Sequence, residues 1–262
     1  MPREAALDPA SRKRTSTGFG RRLFGWVAFL VLAFLALTIV PVALLRVVDP
    51  FTSAFMIGAK LEALEARDSK YRTQYQWVDM SRISANAAIA VIASEDQLFP
   101  FHRGFDVESI RKAVESNGRG KRMRGASTIS QQVAKNLFLW SGKSYFRKAL
   151  EAWFTVLIEA IWPKARILEV YLNIVELGKG VYGVEAASRK FFHKSASQLS
   201  RSEAALLAAV LPNPRRLRAD RPSNYVQSRR NWIQGQMRGL GGWDYLKEID
   251  LGVQPRRARR AR

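Results

Sequence analysis

The chain has 262 residues, 47% apolar and 25% charged, which fits one substantial folded domain with appendages and excludes a disordered chain. Its 43 Lys and Arg against 22 Asp and Glu give a formal charge of +21, a signature of an anionic partner: nucleic acid, anionic lipid or a phosphate-bearing substrate. Cysteine is absent and histidine occurs only at 102 and 193, which rules out disulfides and thiolate chemistry and argues against a histidine-built metal centre.

In chain order, the first element is an uncharged run over residues 23–45 whose one clearly polar side chain is Thr38. At ~1.5 Å per residue such a helix crosses the ~30 Å hydrocarbon layer. Arg3, Arg12, Lys13, Arg14, Arg21 and Arg22 outweigh Glu4 and Asp8 ahead of it, so residues 1–22 form a basic cytoplasmic tail and 23–47 an anchor, with the remainder on the outer side. A cleaved signal peptide has a shorter apolar core and a small-x-small cleavage site, and a buried core helix of this length is rare at the start of a soluble domain. Residues 48–80 mix Phe51, Phe55, Met56 and Ile57 with charges and with Tyr71, Tyr75 and Trp77. This membrane-proximal segment is open to two readings, contact with the interface or packing against the domain.

From residue 81 the pattern is helical. Ile83, Ala87, Val91 and Glu95 step by four, which delivers a carboxylate to the end of an apolar-faced helix, where burial raises a pKa. A second helix spans 146–162 and stops at Pro163; 167–175 and 202–211 are two more. No run of alternating strands stands out, and no repeat. Residues 239–262 end in Arg256, Arg257, Arg259, Arg260 and Arg262, a solvated basic tail.

Four groups of residues carry chemistry. Glu95-Asp96 is followed at fixed offsets by Phe99, His102, Gly104 and Asp106; Phe99 supplies apolar surface beside the acid, and His102 alone has a hydrogen-bonded structural role as its plain alternative. Gly125, Ser127, Thr128, Gln131, Gln132 and Lys135 follow. Thr128 and Gln131 have capping-box spacing, and a glycine ahead of a helix N-terminus suits close approach of an anion. Gln132 and Lys135 share one helical face. Arg147, Lys148 and Glu151 form the third group; its bland alternative is an i,i+4 pair on a solvated helix, worth only ~0.3–0.5 kcal/mol. From Arg111 to Lys143, the cations Arg111, Lys112, Arg119, Lys121, Arg122, Arg124, Lys135 and Lys143 are accompanied by a single acid, Glu115. The fourth group is Arg166-Ile167-Leu168-Glu169 with Tyr171, Leu172 and Asn173, followed by Gly180, Gly183, Ala187, Phe191, Phe192 and Lys194.

In this order, those motifs resemble the peptidoglycan glycosyltransferases of glycosyltransferase family 51, and in particular their monofunctional biosynthetic members, since no room follows for a transpeptidase domain. Ser130 stands where many relatives have Thr, and Lys143 where the family has Arg, a point charge in place of a forked phosphate contact. The resemblance implies a mainly α, lysozyme-like catalytic domain over 81–238 with a small membrane-proximal lobe and one N-terminal transmembrane helix. It implies a cell inner-membrane enzyme with a periplasmic catalytic domain that polymerises lipid II into β-1,4-linked glycan by inverting transfer, releasing undecaprenyl pyrophosphate.

Under that implication Glu95 is the base that takes the acceptor proton. Lys135, Lys143, Arg147 and Lys148 stabilise the leaving pyrophosphate, Glu151 positions those cations or assists departure, and Asp96, Phe99, Ser127 and Gln132 complete the substrate site. No cofactor or protein-bound metal is required, although a divalent cation can accompany the pyrophosphate. The partners implied are lipid II, the growing lipid-linked glycan, the membrane, and proteins of cell-wall elongation or division. Two rivals differ in kind. A lytic enzyme cleaves finished glycan and has no need of a cationic stretch; a membrane-tethered nucleic-acid binder explains the charge and ignores the glutamates. A basic domain outside the cytoplasm argues against nucleic acid.

Overall fold

A computed structural model describes residues 17–108, 111, 127–142 and 144–249 of the chain. The tail before residue 17, the cations from Lys112 to Arg124, Lys143 and the arginines after residue 250 fall outside the described residues. Two compact units meet between residues 41 and 42. The first holds most of helix α1 (Thr17–Leu45), whose stretch Gly20–Leu45 is long and apolar enough to cross a membrane. Leu23, Phe24, Trp26, Phe29 and Leu32 are all exposed, as a helix that meets hydrocarbon requires. The hydroxyl of Thr38 donates to the carbonyl of Phe34 (2.8 Å) and so needs no water.

The second unit is a helical domain. Among the described residues its α-helices are α2 (Ala54–Glu65), α3 (Ala85–Glu95), α4 (Ile129–Phe138), α5 (Tyr145–Ile161), α6 (Lys164–Ile174), α7 (Val184–Phe192), α8 (Arg201–Val210) and α9 (Asn224–Gly239). Serines 53, 84, 144, 200 and 223 cap α2, α3, α5, α8 and α9 by accepting a first-turn amide, and the Thr128–Gln131 capping box opens α4. Pro163 ends α5 and starts α6. Helices α3, α5, α6 and α8 lie where the apolar spacing places them.

α3 departs from the one-faced helix its four-residue step suggests: every residue from Ala87 to Ala93 is buried. Alanines occupy the positions between the larger side chains, so neighbours approach on all sides, and the helix packed most closely against it, α8, is also alanine-rich and buried from Ala204 to Val210. The strands are a further departure. β1 (Gln74–Tyr75), β2 (Glu176–Gly178) and β3 (Val181–Tyr182) form a sheet ordered β1-β3-β2, with Gln74 opposite Val181 in the parallel pair and Glu176 opposite Tyr182 in the antiparallel one. Strands of two and three residues are too short to show alternation. Gly183 follows at φ +81°, and a Cβ there would lie 2.3 Å from the Asn173 carbonyl oxygen. The backbone of α7 can therefore start only on glycine.

Residues 48–80 pack into the domain: Met56, Ala59, Val78 and Met80 are buried. The fourth motif fixes them. Asn173, fully buried, accepts from the Val78 amide and donates to the Val78 carbonyl (3.0 Å each), while Glu169 accepts from the Met80 amide at 2.7 Å. Arg166 donates to the carbonyls of Leu45 and Val48 and pairs with Asp49 and Glu169. Ordered structure also continues beyond residue 239, where a basic tail was expected. Gly242–Ile249 is a 3-10 helix with Leu246 and Ile249 buried, packed on α3.

Candidate active site

Glu95 is the last residue of α3. Its Oε2 accepts from the Gln132 side-chain amide at 3.1 Å, and its Oε1 faces Arg229 Nη2 at 3.8 Å. With 18% of its side chain exposed, it is enclosed yet reachable. Loss of hydration pushes its pKa up and the nearby Asp96 charge adds to this; the Gln132 hydrogen bond, Arg229 and Lys135 oppose it. Gln132 is itself oriented. The phenol of fully buried Tyr171 donates to its Oε1 at 3.1 Å, which turns the amide NH2 toward Glu95. Burial holds that phenol well above its ordinary pKa, so it remains a donor.

Asp96 and Phe99 both point away from solvent. Asp96 is buried, with both oxygens 2.9 Å from His102 Nε2, and Oδ2 also accepts the amide of Ile129, the first residue of α4. A carboxylate on an unpaired helix N-terminal amide is stabilised by the same partial charge that favours anions there. His102 Nδ1 accepts from the Gly104 amide at 3.1 Å, so its proton sits on Nε2 and goes to Asp96. Gly104 has φ +89°, and a Cβ would meet Thr155 Cγ2 at 2.7 Å; its carbonyl accepts from Thr128 at 2.6 Å. Phe99 is fully buried, with Lys164 Nζ 4.6 Å from its ring centre. The first motif thus fastens the end of α3 to the start of α4, and that seat brings Glu95 to Gln132.

Gln132 also lines a cleft of about 130 Å³ together with Ser127, Gln131, Lys135, Arg147, Lys148 and Glu151. Glu151 is only 4% exposed, and it accepts from Arg147 Nη1 at 2.9 Å and from Lys148 Nζ. That burial removes the solvated-helix alternative for the third motif. The Nε of Arg147 is buried without a partner among the described residues. Lys135 Nζ lies 5.5 Å from the Phe55 ring centre; desolvation pulls its pKa down, Glu151 and Glu95 oppose this, and Arg147 and Lys148 add to it. Gln132 is therefore shared between a desolvated carboxylate, Glu95, which it touches, and a cleft in which three cations accompany a buried carboxylate. Lys143 falls outside the described residues.

Tyr171, a member of the fourth motif with no role at the site assigned from sequence, and Arg229, which lies in no motif, both touch this network. Arg229 sits on α9, a largely polar helix whose sequence signals are confined to the Ser223 cap and the buried Val226, Ile233 and Met237.

The transglycosylase family model matches residues 61–238. The biosynthetic peptidoglycan transglycosylase of Xanthomonas euvesicatoria pv. vesicatoria is 55% identical over 227 residues, covering 87% of this chain and 92% of that protein. The protein of the same name from Chromohalobacter salexigens is 52% identical over 229 residues, 87% and 97% of the two chains. That of Xylella fastidiosa is 51% identical over 210 residues, 80% and 86%. On this match and this identity the chain belongs to the transglycosylase family, as a peptidoglycan transglycosylase of cell-wall biosynthesis.

Proposed function

We propose that the chain polymerises lipid II, joining its disaccharide units into β-1,4-linked glycan and releasing undecaprenyl pyrophosphate. The observation that carries this reading is Gln132, which touches Glu95 and also lines the cleft of Lys135, Arg147, Lys148 and Glu151. Glu95 takes the proton from the acceptor GlcNAc 4-hydroxyl as that oxygen forms a bond to C1 of the donor MurNAc. The C1–O bond to pyrophosphate breaks, its electron pair leaves with the phosphate, and C1 inverts. Lys135, Arg147 and Lys148 stabilise that charge as it grows, and Lys143 is assigned to the same set. Glu151 holds Arg147 and Lys148 in place, and Ser127 and Gln132 line the sugar path. Asp96 and Phe99 act by seating the helix end that carries Glu95.

A pyrophosphate is a good leaving group, so this chemistry asks for cations rather than for an acid, and it needs no protein-bound metal. α1 is assigned as a single-pass inner-membrane anchor with its N-terminus in the cytoplasm, which keeps the domain on the surface that carries its lipid-linked substrate. The deciding experiment offers labelled lipid II, and separately finished cell-wall glycan, to the wild type and to Glu95→Gln. Polymer from lipid II alone, lost in the variant, is the expected result; degradation of finished glycan, or polymerisation by the variant, overturns the reading.

A further inference from the structure

Of the charged groups around Glu95, Arg229 has no place in the chemistry above, and its geometry is unusual in two respects. At 3.8 Å from Oε1 its Nη2 is an ion-pair partner but is beyond hydrogen-bonding distance. Its Nε is buried and has no partner among the described residues. An unmet buried donor is costly, so the position is poorly explained by the arginine's own hydrogen bonding. The guanidinium also lies 5.9 Å from the Trp232 ring centre, one turn further along α9.

The carboxylate is therefore handled differently on its two oxygens. Oε2 is held by a neutral donor, Gln132; Oε1 carries no hydrogen bond among the described residues and faces a cation. A donor in full contact with Oε1 would take one of its two lone pairs and compete with the acceptor hydroxyl for the oxygen. A cation slightly further off favours the charged form and leaves that oxygen open.

The placement is braced on both sides. Gln97 donates to the Ala93 carbonyl of α3 and to Gln236 of α9 (3.0 Å each), and its own carbonyl accepts from Tyr245 of the 242–249 helix. The end of α3 and the Arg229-bearing helix are thus joined two residues beyond the base.

We propose that Arg229 is a positioning residue for the base, keeping the enclosed Glu95 carboxylate ionised and its Oε1 available at neutral pH. This rests on the assignment of Glu95 as the base. Without Arg229, burial and Asp96 favour protonation of Glu95, and Gln132 and Lys135 oppose it. Tyr171 of α6 stays neutral. From α8, Glu203 is engaged by Lys194, and in the 242–249 helix Asp244 and Lys247 pair with each other in solvent beside Glu248.

The test is the pH dependence of lipid II polymerisation by the full-length wild type, Arg229→Gln and Arg229→Lys, with Glu95→Gln alongside. Arg229→Gln is expected to lose about tenfold in kcat at pH 6 and about twofold or less at pH 9, because its acid limb moves to higher pH. Arg229→Lys, which keeps the charge but not the fork, returns most of the loss at pH 6. Should the glutamine variant lack a melting transition, Arg229→Met, which keeps the aliphatic stem, carries the same comparison. Equal losses at all pH values, or a lysine variant no better than glutamine at pH 6, overturn the inference. Polymerisation by Glu95→Gln would instead remove the base assignment, so the two failures are told apart.

Discussion

Two glutamates, one bonded to Gln132 and the other lining the cleft that Gln132 also lines, are treated in opposite ways. Glu151 is the more buried, at 5% side-chain exposure against 18% for Glu95, yet it is paired with Arg147 and Lys148. Glu95 has a neutral amide at contact distance and its cation only at 3.8 Å. Under the proposed roles, burial alone does not pick out a base; burial without full compensation does. A doubly paired carboxylate neutralises and orients its cations. An enclosed carboxylate with one neutral donor keeps an open oxygen and a raised pKa, which is what accepting a substrate proton demands.

The comparison is broken most severely at Glu95. On the proposed function, Glu95→Gln is expected to lower lipid II turnover by about 10³-fold, in the range that a positioned base contributes. Stability should move the other way. The folded-state pKa of Glu95 is raised, so the native state holds its proton more tightly than the unfolded chain. Its contribution is most favourable in acid and declines as pH rises through the interval above the unfolded value. The variant should melt above the wild type at neutral pH, with the gap closing in acid, as calorimetry at several pH values would show.

Glu151→Gln is the mirror case. It leaves Arg147 and Lys148 short of a counter-charge in a partly buried place, with Lys148 half exposed, so a loss of roughly 1–3 kcal/mol and a lower melting temperature at neutral pH follow. Turnover falls about 10²-fold through misplaced cations. If both variants shifted melting in the same direction, the distinction between the two carboxylates would fail.

Lys135 sharpens the cationic side of the comparison. Its pKa is pulled down, so its charge is lost at lower pH than that of an ordinary lysine and activity should decline early on the alkaline side. Lys135→Arg, charged throughout, should extend the alkaline limb while lowering kcat roughly tenfold, because a fork replaces a point charge. A pH–rate profile with an unmoved alkaline limb would take Lys135 out of the charge balance.

Much of this was legible in the residues, and what was not has identifiable causes. The carboxylates, the Gln132 and Lys135 face and the Arg147 to Glu151 cluster follow from offsets along single helices, which periodicity conveys. The inward turn of Asp96 does not, because it depends on where the distant amide of Ile129 comes to lie. Arg229 was hidden by a mostly polar helix, and the sheet by strands of two or three residues. The all-round burial of α3 follows from alanine, which fits a core as well as a surface and so blurs the apolar face. Pattern within an element is readable from sequence; contact between elements depends on the fold.

Tyr171 lies on that boundary and gives the smallest expected effect. It belongs to the same helix as Arg166, Glu169 and Asn173, but those three secure the segment from Leu45 to Met80, whereas the Tyr171 phenol reaches Gln132. Tyr171→Phe removes one buried hydrogen bond and no volume that matters, so about 1 kcal/mol of stability should go. The catalytic consequence is indirect. With its carbonyl no longer held, the Gln132 amide can turn its oxygen toward Glu95, and a carbonyl facing a carboxylate favours the protonated acid. Polymerisation should fall about threefold near neutrality and more in acid. An equal loss at every pH would mean that Tyr171 supports the cleft only by packing, and that the amide orientation is secured elsewhere.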